Sequence, residues 1–165
     1  HYYLGTLGPG DSFAVARIDS GSFSEKDIIA KVTFDHRPSR ANDQKRQFAA
    51  TLSKFIDSVE RSPYTDINGG LLLASEYLNE TQANKKVVMI FSDMQEELPK
   101  GYKRDFSLSL TGYEVIALNV TKLRTDNQDP KLYMARMDRW QNRVEESGGK
   151  WRMVNDLERE DSLKL

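Results

Sequence analysis

Two oxygen-bearing corners are the residues of this chain best suited to chemistry. Tyr64-Thr65-Asp66 stands just before a helical pattern, and Ser92-Asp93 follows the most apolar strand pattern. Hydroxyl and carboxylate oxygens suit a hard cation such as Mg²⁺, which takes about six oxygens and keeps several waters. Mn²⁺ or Ca²⁺ would accept the same donors. Asp66 and Gln95 stand where groups supporting such ligands would lie. By spacing alone the ordinary readings are simpler: Thr65 or Asp66 caps a helix, and Asp93 closes a turn. Glu96-Glu97 beside Asp93 would either enrich cations there or form a plain solvated loop.

Composition removes most other chemistries. There is no Cys, so thiol catalysis, thiolate metal sites and disulfides are out. The two His, His1 and His36, are too few for a multi-His zinc site. His36, between Asp35 and Arg37, reads as a surface residue, and no Ser-His-Asp arrangement or glycine-rich phosphate loop is visible. With no nucleophile–base pair in sight the chain is expected not to be an enzyme, a metal-assisted hydrolase at Asp93 being the reading to displace. Lys and Arg number 24 against 25 Asp and Glu, a net charge of -1. That balance argues against a nucleic-acid partner, and the short basic clusters Lys85-Lys86 and Lys100, Lys103, Arg104 do not change it. No apolar run approaches the roughly 20 residues that span a bilayer. Asn79-Glu80-Thr81 and Asn119-Val120-Thr121 match the glycosylation acceptor pattern, the second inside an expected buried strand.

The elements that must position the two corners alternate strand and helix, and 165 residues suit a single domain. Residues 13–18 and 28–34 read as an antiparallel hairpin, the second strand an edge with one wet face. Asp19, Glu25, Lys26 and Asp27 make a charged, solvated tip. Residues 41–60 follow helical spacing through Phe48, Leu52, Phe55, Ile56 and Val59. After Ser62-Pro63 a second helix starts near Thr65 or Asp66, with Ile67, Leu71, Ala74 and Leu78 on one stripe. Residues 87–91 are apolar without alternation, as a central strand would be. Residues 97–112 suggest a loop with a short helix, and residues 114–120 another buried strand. Asp129-Pro130 starts a helix with Tyr133, Met137, Trp140 and Val144 on its buried stripe, and Gly148-Gly149 stops it. Residues 151–154 form a last strand. The expected fold is α/β: a mostly parallel sheet with one antiparallel edge strand and helices on both faces. In such sheets ligands gather at the carboxyl ends of the strands, where Ser92-Asp93 and Asn119 lie.

The order of motifs resembles a known family. LGPGDSFAVARI, the hairpin after it, SPYTDINGGLLLAS and KKVVMIFSDMQEE, taken together, resemble the von Willebrand factor A domain. The end of the chain, with a helix, then SGGKWRMVNDLERE and a final apolar residue, looks like that family's last helix and strand. The resemblance implies a doubly wound, Rossmann-like sheet bearing a metal-ion-dependent adhesion site. Thr65 would bind the ion through its hydroxyl, Asp93 directly or through water, and a carboxylate of a protein partner would complete the shell. It implies a binding or adhesion module, the alternative being a metal-independent scaffold or assembly domain of the same fold. It permits a periplasmic or extracellular location.

One part of the family pattern is missing: the Asp-x-Ser-x-Ser loop that supplies most protein ligands. Asp19-Ser20-Gly21-Ser22 is one residue short and lies in the hairpin. On this register residues 1–7 are the tail of the first helix, and the first strand with its metal loop is expected upstream of His1, leaving the domain N-terminally incomplete and the cation in question. Two alternatives are a strand donated by another chain, and a register in which residues 13–19 are the first strand, with a distorted loop at Asp19, Ser20 and Ser22. The stretch from Asp19 to Thr65 is short for the helix, hairpin and second helix that this last register requires.

Overall fold

A computed structural model of the chain describes residues 2–21 and 24–156. Two compact units are formed, His1–Ala83 with Leu98–Gly101, and Asn84–Glu97 with Tyr102–Leu165.

The first unit opens with a short helix, α1 (Tyr2–Thr6), as expected of residues 1–7. Strands β1 (Ser12–Ala16) and β2 (Ile28–Thr33) follow and pair antiparallel, with a bulge between Val15 and Ala16. On β2, Lys31 and Thr33 face water while Ala30 and Val32 turn inward, the alternation of a strand with one wet face. The hairpin tip is not wholly solvated. Asp27 is buried, and its carboxylate accepts from the Ser24 amide at 3.0 Å, folding a 3-10 turn over Glu25–Asp27. A charge at a loop tip can be drawn inward when main-chain amides are there to receive it.

Helix α2 (Pro38–Ser58) begins with proline at its first turn, where the missing N–H costs nothing. Ala41 and Phe48 bury against Leu4 and Phe34, with Phe13, Val15, Val32 and Leu52 packed around them. The stripe then runs out: Ile56 is 67% exposed and Val59 is exposed too. At about 1.5 Å per residue the helix is roughly 31 Å long. The strand β2 it packs on spans about 20 Å. The last turns therefore overhang. Helix α3 (Ile67–Glu80) buries Ile67, Leu71 and Leu73 and half-buries Ala74 and Leu78.

The second unit holds a three-stranded parallel sheet in the order β3-β4-β5, from β3 (Lys86–Phe91), β4 (Tyr113–Leu118) and β5 (Lys150–Val154). The middle strand is β4, whose Val115, Ile116, Ala117 and Leu118 are buried. β3, expected to be central, is an outer strand of this sheet. An unbroken apolar run reports that both faces are covered and says nothing about the two edges. Between β3 and β4 the chain crosses over with no helix at all, contrary to the short helix expected in residues 97–112. Pro99 and the left-handed backbone at Gly101 and Gly112 break any helical run there. The return from β4 to β5 is helical, through α4 (Arg124–Gln128) and α5 (Pro130–Glu146). Asp129 caps α5 by accepting from Lys131, Met137, Trp140 and Val144 are buried, and Gly148 at φ 87° ends the turn.

The architecture is thus mixed α/β, with a two-stranded antiparallel sheet and a three-stranded parallel sheet among the described residues. Ser22, of the alternative metal loop, and the end of the chain after Asp156, part of the family resemblance, lie outside them. No helix among the described residues is long and apolar enough to cross a membrane.

Candidate functional site

Each unit carries one of the two corners singled out by residue type. In the first, the Asp66 amide donates to the Ile18 carbonyl at 2.6 Å, tying the start of α3 to the end of the β1 segment. The Asp66 side chain is buried and accepts from the Gly69 amide at 2.7 Å. That is an N-cap bond. Asp66 is thus the N-cap of α3, with one carboxylate oxygen given to the helix. The glycines after it are required by proximity. A Cβ at Gly70 would fall 2.5 Å from Ile18 Cγ2, and one at Gly69 2.5 Å from Asp66 Oδ2. Thr65, half-buried, is the residue just before this cap. Asp19, the alternative ligand, is held by Arg17, whose Nε donates to Oδ1 at 2.6 Å and NH2 to Oδ2 at 3.1 Å.

In the second unit β3 ends in a tight turn at Ser92-Asp93-Met94-Gln95. Ser92 Oγ accepts from the Met94 amide at 3.0 Å, and Asp93 Oδ1 from the Gln95 amide at 2.9 Å. Gln95 thus meets Asp93 through its main chain. Met94 takes φ 62° and is fully buried. Helix α5 holds the same turn from the other side. Arg136 Nε donates to the Asp93 carbonyl at 3.0 Å, and Trp140 Nε1 to the Met94 carbonyl at 2.8 Å. The rest of the Arg136 guanidinium grips Asp126, NH1 to Oδ1 at 3.1 Å and NH2 to Oδ2 at 2.6 Å. Asp126 in turn accepts from the Leu123 amide at 2.8 Å. Hydrogen bonds from Arg136, and then from Leu123, hold the Asp126 carboxyl below its ordinary value against the opposing effect of burial.

The neighbouring strand end is also pinned. The Asn119 amide donates to the Val154 carbonyl at 2.9 Å and the Val120 amide to Asn155 Oδ1 at 2.9 Å. Asn119 is exposed at φ 50°, just past β4, so its acceptor motif does not lie within a buried strand as expected. His36 is exposed, and Trp140 and Met137 are core residues, as their spacing suggests.

Arg136, Asp126 and Trp140 were not marked by residue type alone. The signal was present: Arg136 sits inside the apolar stripe of α5, three residues after Tyr133 and four before Trp140. A charge on a buried stripe is seldom there without a partner. Nothing in the sequence says which partner.

Asp93 fits a hard cation in kind, as a half-buried carboxylate with one oxygen fixed by a main-chain amide, and Thr65 offers a hydroxyl. Among the described residues no three His, Cys, Asp or Glu side chains gather. Mg²⁺ is commonly held by one or two carboxylates, with water and a ligand supplying the rest. The chain matches no family model, no curated protein and no solved structure.

Proposed function

We propose that this chain is a protein-binding module of the von Willebrand factor A type, with a doubly wound sheet, in which Asp93 holds a divalent cation for a partner's carboxylate. The observation that carries the reading is the placement of Asp93. It leaves the carboxyl end of an outer strand in a parallel sheet, on a turn fixed by hydrogen bonds to both its main chain and its side chain. The carboxyl ends of the strands are the side of an open α/β sheet on which ligands bind. A partly open Mg²⁺ shell would concentrate positive charge at one point of a nearly neutral surface, and an acidic side chain of a partner would complete it.

Thermal melts of the full chain against Mg²⁺ test this. A ligand bound only by the folded state raises stability by RT ln(1 + [L]/Kd), about 2.7 kcal/mol at a hundredfold excess over Kd. The expected result is a midpoint that climbs with millimolar Mg²⁺, reverts with chelator, and stays flat in Asp93→Ala. A wild-type midpoint indifferent to Mg²⁺ and chelator overturns the cation and leaves a metal-independent assembly domain.

A further inference from the structure

We propose that Arg136 and Trp140 are positioning residues that aim the Asp93 carboxylate, one turn apart on α5. The proposal deepens the cation reading and rests on it. Four residues separate the two side chains, so they leave the same face of the helix. Each donates to one of two consecutive carbonyls, Asp93 and Met94. These carbonyls belong to the two peptide units that flank Met94, and the first of those units begins at the carbonyl carbon of Asp93, so the clamp holds the turn on which Asp93 stands. The Gln95 amide then takes Oδ1. A carboxylate has two oxygens, and with Oδ1 committed to a turn held from α5 the second is left for a ligand.

Asp126 gives the arrangement its electrostatic sense. A lone buried guanidinium beside Asp93 would repel a dication. Here its charge is matched by a carboxylate with no exposed side-chain surface. The clamp supplies geometry while adding little positive field. Buried ion pairs are weak sources of stability, and holding one defined arrangement is the use that fits them better. The left-handed, fully buried Met94 points the same way, because a non-glycine residue takes that conformation only where its surroundings impose it.

The test uses the full chain and two conservative variants. Trp140→Phe keeps an aromatic ring in the core but removes the indole N–H. Arg136→Lys keeps a charge for Asp126 but loses the Nε donor to Asp93. Mn²⁺ affinity is read by electron paramagnetic resonance, and exchange of the Gln95 amide proton by NMR. Loss of an outer contact typically weakens metal binding by about 10–100-fold. Each variant should fall in that range and exchange the Gln95 proton faster. Ile116→Val, a packing change in β4, should lower stability and leave both readings alone. Wild-type Mn²⁺ affinity and wild-type Gln95 exchange in both clamp variants overturn the proposal, as does an equal loss of affinity in Ile116→Val. A wild-type chain that binds no Mn²⁺ overturns the cation reading instead. Gln95 exchange then decides the clamp: faster exchange in the variants upholds it as the device that holds the turn, and unchanged exchange removes it.

Discussion

Two aspartates, Asp66 and Asp126, show how the same side chain is put to different uses by what surrounds it. Asp66 closes the first turn of α3 through the Gly69 amide. Asp66→Ala should cost about 1 kcal/mol in chemical denaturation, the usual value of such a cap, and Asp66→Asn, which retains an acceptor, distinctly less. Asp126 is instead an ion-pair partner, with its folded-state pKa lowered by Arg136. A carboxyl with a depressed pKa stabilises the fold above its unfolded value, about 4 for Asp, and that contribution is lost as pH falls through the folded value. Melting midpoints measured from neutral pH down to acid should therefore drop below about pH 4, and Asp126→Asn should flatten that drop. The exposed Asp35–Arg37 pair also lowers its carboxyl, but water screens it, so Asp126 should dominate the difference.

Elements with local signals were readable from the chain. Asp66 and Asp129-Pro130 announced the starts of α3 and α5, and Gly148-Gly149 the end of α5. The hairpin was legible because Lys31 and Thr33 alternate with apolar residues. What failed depended on neighbours that lie elsewhere in the chain. The overhang of α2 follows from the length of β2, and the outer position of β3 from which strand pairs with which. Neither quantity is encoded within the segment concerned. The two-point hold on the Asp93 turn was hidden for the same reason, since Arg136 and Trp140 act more than forty residues away from it. The middle strand β4 makes the sharpest test of the architecture. Ile116 is fully buried there, and Ile116→Ala should cost about 2–5 kcal/mol, read as a shift in denaturant midpoint with little change in slope.

Across the whole chain, the near balance of charge and the order of elements were visible at once, whereas the division of strands into two sheets was not. Hydrophobic patterning names strands without naming their partners. The methionines give this arrangement a chemical readout. Met134 and Met153 are exposed, whereas Met94, in the turn held by α5, and Met137, on α5 itself, are buried. Dilute peroxide converts accessible thioethers to sulfoxides first. Peptide mass spectra over a time course should record Met134 and Met153 early and Met94 late. Sulfoxide at Met94 then becomes a clock: its rate of appearance counts how often the α5 side of the turn opens, and a bound ion or partner that quiets that opening would slow the clock without touching the surface sulfurs.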